Sequence, residues 1–300
     1  MREILGAVAA VLLGAAIAWP GSLEVSTGFL IGPRHDPHAF YVRNSSAAAW
    51  QKSCSTAEFR KTAQGRLLGV TFPSAQADLQ PLALHGLQLV RVALQSPAGS
   101  LFAPNGALRP AESARLHTLL DAASDHGVAV ELVFFDPALD QDFDSPDAML
   151  AAVRHLTDWL IDQNHRNVLL DPAADWGDPG WDFDHFIPQN LPRVAALIRE
   201  RFQLKHTDFA LPVVITAGSR LAGNSILVQE ADVIVAHGEA LALDPRTVQR
   251  PVLVREKSAQ GCAAALEKYA GCLVEEKAAT GLYRQLAPLV LKPVLRSPKP

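Results

Sequence analysis

Little in this 300-residue chain is basic: Lys and Arg total 27 against 31 Asp and Glu, a formal net charge of -4. The basic stripe that tracks a phosphate backbone is missing, so no nucleic-acid partner is expected. Cysteine is equally scarce. Cys54, Cys262 and Cys272, with no C-x-x-C spacing, are too few for a disulfide-built scaffold and do not make a zinc site. Cys262 and Cys272 stand ten apart. If Ala263 to Ala270 is helical, ten residues rise about 15 Å, against the Cα separation of about 5.5 Å that a disulfide needs. That pair is therefore not expected to bond, and Cys54 with either partner stays open. The four aspartates Asp136, Asp140, Asp142 and Asp144 lack the glycine and terminal glutamate of a calcium loop. No metal and no cofactor is expected. After the N-terminus no segment is long and apolar enough to cross a bilayer.

What is present begins with the N-terminus. Met1, Arg2 and Glu3 precede an apolar run from Ile4 to Ala18, closed by Ala16-Ile17-Ala18. Residues 1–18 read as a signal peptide with an A-x-A cleavage site, or as an uncleaved membrane anchor extended by Trp19. The expected location is secreted or periplasmic, with a membrane tether as the alternative. Apolar residues make up 49% of the chain and charged residues 19%, enough apolar content to bury a core.

From Leu67 a rhythm sets in. Apolar runs recur at 67–72, 87–94, 129–135, 168–171, 212–216, 233–236, 252–255 and 271–274. Continuous rather than alternating apolar runs suit parallel strands buried on both faces. The stretches between them have helical spacing. Residues 110–126 place Leu116, Leu119, Leu120 and Ala123 on one face before Gly127. Residues 147–164 carry Leu150, Val153, Leu156, Trp159 and Leu160; residues 191–202 carry Val194, Leu197, Ile198 and Phe202. Eight strand–helix repeats predict an α/β fold, a single (β/α)8 TIM barrel over residues 67–292. An open doubly wound sheet would want a glycine-rich turn after its first strand, and Thr71-Phe72-Pro73-Ser74 has none. Residues 22–66, with a short strand at Phe40–Val42, read as an N-terminal extension packing on the barrel. Residues 293–300 read as a tail.

A barrel presents its chemistry just after its strands. Strand four leads into Asp175 and strand seven ends at Glu256. Two facing carboxylates are the apparatus of glycosidic cleavage, one donating a proton and one attacking. Four segments, LLDAASDHGVAVELVFF at 119–135, RNVLLDPAADW at 166–176, ADVIVAHGE at 231–239 and RPVLVRE at 250–256, occur in that order. The chain thereby resembles the cellulase-like glycoside hydrolases of clan A. The resemblance implies Asp175 as general acid/base, Glu256 as nucleophile, and Arg91 as the strand-two arginine that keeps Glu256 ionised. It also brings His237 to the mouth after strand six, as a contact for a sugar hydroxyl. Trp176, beside the acid/base, is a candidate platform for a sugar ring.

Four positions depart from the clan's pattern. Ala174 stands where the clan has the asparagine that binds the sugar 2-hydroxyl, and Asp175 where it has glutamate. Arg255 replaces the asparagine before the nucleophile, and Val274 the eighth-strand tryptophan. The expected function is retaining hydrolysis of a β-linked glycan. The alternative is a catalytically degenerate barrel that binds a glycan or a protein partner, or a purely structural envelope protein.

Overall fold

The computed structural model describes residues 23–26, 41–44, 67–72, 89–97, 99–126, 128–176, 178–183, 190–207, 209–218, 225–238, 252–257, 259–265, 268–269 and 271–275. Two short strands, β1 (Leu23–Ser26) and β2 (Tyr41–Asn44), pair antiparallel. The main series follows as β3 (Leu67–Phe72) and β4 (Leu89–Ala93), then the hairpin β5 (Gln95–Ser96) and β6 (Gly99–Ser100). Next come α1 (Pro110–His126), β7 (Ala129–Phe135), α2 (Pro146–Asp162), β8 (Val168–Ala173) and α3 (Leu191–Leu204). The series ends with β9 (Val214–Ala217), α4 (Ser225–Glu230), β10 (Val233–Ala236), β11 (Val252–Glu256), α5 (Ala259–Ala265) and β12 (Gly271–Glu275). The expected signal segment 1–18, the tail 293–300 and most of the extension 22–66 lie outside the described residues. No helix among the described residues is long and apolar enough to cross a membrane.

All eight expected strands are present, in one parallel sheet ordered β8-β7-β4-β3-β12-β11-β10-β9. The strands at the two ends of that order also meet. Leu170 and Val213 form a parallel bridge. The Leu170 N–H donates to the Pro212 carbonyl at 2.9 Å, and the Trp176 N–H to the Thr216 carbonyl at 2.8 Å.

Strand alternation sorts the side chains between two faces. Val90 and Val92 of β4, Val130 and Leu132 of β7, Val168 and Leu170 of β8, and Val252 and Val254 of β11 share one apolar cluster with the helices. Leu116, Leu119 and Leu120 of α1, Val153 and Leu156 of α2, and Ile198 of α3 complete it. The residues between those strand positions, including Leu89, Leu169, Leu253 and Leu273, are buried on the opposite face. Both faces are thus dry, which is why the strands read as unbroken apolar runs.

One expectation is overturned here. Cys262 and Cys272 form a disulfide, with Cα atoms 5.5 Å apart. The helix does not run through to Ala270; α5 stops at Ala265, and the chain turns at 268–269 and doubles back as β12. The link ties α5 to the strand that follows it.

Candidate functional site

The loops after the strands are built from short aspartate-centred motifs. Asp136 caps a 3-10 helix at Pro137–Asp142 by accepting from the Ala138 N–H at 2.9 Å. Asp140 is wholly buried, and its Oδ2 accepts from the backbone N–H groups of Asp182 at 2.7 Å and Phe183 at 3.2 Å. It ties the loop after β7 to the loop after β8. Gln95 reinforces this junction, donating to the Leu139 carbonyl at 2.6 Å and accepting from the Asp136 N–H at 3.2 Å.

Within this frame Asp175 and His237 come together. Asp175 Oδ2 lies 3.1 Å from His237 Nε2, and its Oδ1 accepts from the Gly218 N–H at 3.0 Å. The Asp175 carbonyl accepts from the Trp181 indole N–H at 2.8 Å. The ends of β8, β9 and β10 therefore each contribute one group. Glycine at 218 leaves room for this pair: an added Cβ would stand 2.9 Å from His237 Cε1 and 3.2 Å from Asp175 Oδ2. The chain leaves His237 through Gly238 at φ +58, a left-handed conformation that glycine adopts freely. Asp175 and His237 keep 21% and 29% of their side-chain surface exposed, so both are open to a ligand.

Glu256 is directed to the helix side of its strand. Val252 and Val254 belong to the helix-side cluster, and by alternation Glu256 shares their face. Its carboxylate lies against α5, where a Cβ on Gly261 would stand 2.5 Å from Glu256 Oε2. Arg255, one residue earlier, takes the opposite face.

Arg91 and Trp176 also differ from expectation. Arg91 is 2% exposed and lies within the sheet interior rather than at the rim. Its Nη1 donates to Glu131, to Asp171 Oδ2 at 2.8 Å and to Thr216 Oγ1 at 2.9 Å, and the Thr216 hydroxyl donates to Asp171 at 2.6 Å. With these partners the guanidinium supports the interior carboxylates instead of Glu256. Trp176 is 0% exposed and packed into the apolar cluster, so it has no free face for a sugar ring. Trp181 is partly buried against the same cluster.

Two carboxyls, Glu131 and Asp171, are buried beside the Arg91 guanidinium. Burial pushes Glu131 up to about 8; Arg91 and Arg255 oppose the rise and Asp171 adds to it. Burial likewise raises Asp171, against the pull of Arg91. Burial pulls Arg91 down, but Glu131 and Asp171 outweigh it and hold the guanidinium charged. Sequence reasoning missed Glu131, Thr216 and Gly218. For Glu131 the signal was available: a glutamate inside AVELVFF needs a buried partner.

No protein-family model and no curated protein sequence matches the chain. Its fold is similar to that of a β-mannanase from the blue mussel Mytilus edulis (TM-score 0.56, 12% identity, 76% of this chain and 92% of that one). It is also similar to a β-1,4-mannanase from the sea hare Aplysia kurodai (TM-score 0.53, 13% identity, 74% and 91%). A third relative in structure is an exo-β-1,4-mannosidase from an Opitutaceae bacterium (TM-score 0.52, 16% identity), where the match spans 78% of this chain and 57% of that one. At these identities the likeness concerns the fold alone, a parallel strand–helix architecture that these mannan-active proteins share.

Proposed function

We propose that this protein is a glycoside-hydrolase-like (β/α)8 barrel, closed through the Leu170–Val213 bridge, that binds a β-linked glycan at the Asp175–His237 mouth without cleaving it by double displacement. The observation that carries this reading is the position of Glu256. Retaining cleavage needs two carboxyls about 5–5.5 Å apart across the sugar, and Glu256 packs on the helix side of β11 against Gly261. Asp175 stands instead beside an imidazole and a backbone N–H. Such a pair offers a carboxylate acceptor and a ring nitrogen to neighbouring sugar hydroxyls, which is binding chemistry. Ala174, in place of the clan's asparagine, removes a contact that counts most in the transition state.

The mannan-active proteins of similar fold make β-1,4-mannan the first ligand to try. The expected result is saturable binding of mannooligosaccharides by calorimetry with no release of reducing ends. Asp175→Ala and His237→Ala should each weaken binding about tenfold or more, and Glu256→Gln should leave it unchanged. Turnover in wild type that disappears in Glu256→Gln would overturn the reading. It would install the second one, retaining hydrolysis with Asp175 as acid/base and Glu256 as nucleophile. That second reading draws support from the partial exposure of Asp175.

Export belongs to the same proposal. The apolar N-terminus supports it, and so does the Cys262–Cys272 link, since disulfides persist in oxidising compartments. N-terminal sequencing of protein from a secreting host should find cleavage near Ala18. An intact Met1 on membrane-bound protein would mark the anchor instead.

A further inference from the structure

A second cluster of ionisable side chains lies at the opposite end of β8 from Asp175. His117 and Asp121 stand one turn apart on α1, on one face of the helix. His165 reaches them from the connection between α2 and β8, after Asn164 turns the chain at φ 57. His117 Nδ1 and His165 Nε2 face each other at 2.9 Å. The far nitrogens of both rings turn toward one carboxylate: His117 Nε2 is 3.4 Å from Asp121 Oδ2, and His165 Nδ1 is 3.8 Å from Asp121 Oδ1. Trp159 walls the site, its ring centroid 5.4 Å from that of His165 and 6.3 Å from that of His117. His165 precedes β8 and Asp175 follows it. Six strand residues at about 3.3 Å each keep the two sites apart.

Proton placement decides what this arrangement suits. A neutral imidazole has one N–H and one lone pair. Asp121 can only accept, so it favours the proton on the far nitrogen of each ring. In that tautomer both near nitrogens carry lone pairs 2.9 Å apart, and a cation bound beside them, off the line between them, relieves their repulsion. A carboxylate holding the outer N–H of a metal-bound histidine is the usual support of such ligands.

We infer that His117 and His165 bind one divalent late-transition-metal ion through Nδ1 and Nε2, with Asp121 orienting both rings. Nitrogens about 2.05 Å from an ion and 2.9 Å apart subtend about 90° at it. That angle is the cis angle of square-planar or tetragonal sites, which favours Cu2+ or Ni2+ over tetrahedral Zn2+. The remaining positions open to water on the side of His117, whose side chain is 43% exposed.

The experiment uses the full chain, stripped with chelator and dialysed against Cu2+ alone, then Ni2+ alone. His117→Ala and Asp121→Ala alter exposed positions, and their far-UV circular dichroism should match wild type. Wild type should bind one equivalent more Cu2+ than His117→Ala. Its electron paramagnetic resonance should show coupling to two imidazole nitrogens that His117→Ala lacks. Asp121→Ala should keep the ion but weaken affinity about 10–100-fold. Equal stoichiometry and spectra in wild type and His117→Ala would overturn the site. So would the absence of binding in wild type, which would leave a plain N–H···N bond between the rings.

Discussion

A methyl group on Gly218 would stand 2.9 Å from the His237 ring and 3.2 Å from the Asp175 carboxylate. Gly218→Ala should therefore part the two side chains and lower glycan affinity at least tenfold, a loss of about 1.4 kcal/mol, with little change in melting temperature. Calorimetry and a thermal melt on the same sample check both halves. Arg91→Met should be far harsher. It removes a guanidinium that donates to both Glu131 and Asp171, and stranding buried charge costs about 3–5 kcal/mol, measurable in urea. Glu131 gives stability a pH dependence of known sign. Its folded value of about 8 lies above the unfolded value of 4.5, so the folded state holds the extra proton between them. That contribution is complete below the unfolded value and is lost as pH rises through the folded one. The slope is at most about 1.4 kcal/mol per pH unit. Glu131→Gln should flatten the pH profile of urea midpoints across that window. The structure brings together Asp175 and His237, which the sequence puts shortly after the apolar runs 168–171 and 233–236. The sequence misplaced Glu256, because two adjacent residues at a strand end face opposite ways and Arg255-Glu256 does not announce which.

Among the elements, the helices were legible in proportion to their local signals. The run 110–126 was read with the bounds that α1 has, between Pro110 and the expected stop at Gly127. For α2 the expected span 147–164 gives way to Pro146–Asp162, because Ser145 accepts from the Ala148 N–H and Pro146 opens the first turn. The disulfide was misjudged because α5 ends at Ala265, and nothing in the alanine-rich stretch Ala263-Ala264-Ala265 marks that stop. Closing so short a loop constrains the unfolded chain by about 2–3 kcal/mol. Cys262→Ser should lower stability by that order, and reductant should do the same to wild type but not to the variant. Leu156, fully buried between α2 and the sheet, should cost about 2–5 kcal/mol when cut to alanine.

Across the whole molecule the sheet order divides into two runs of four strands, β8-β7-β4-β3 and β12-β11-β10-β9. The order was legible because short strand–helix repeats lay successive parallel strands side by side. Eight repeats also predict that the two ends meet, but which backbone groups join them was not legible, since it depends on single contacts. The β3–β12 junction has five paired residues. The β8–β9 junction has the Leu170–Val213 bridge and the Trp176 N–H bond to Thr216. This lighter seam runs directly beneath Asp175, Gly218 and His237, which span it from β8 to β10. A saccharide gripped by Asp175 and His237 would thus act as a latch across this joint. Its signature is local: with saturating ligand the Leu170 and Trp176 amides should exchange with deuterium more slowly, while those of the β3–β12 junction keep their rates.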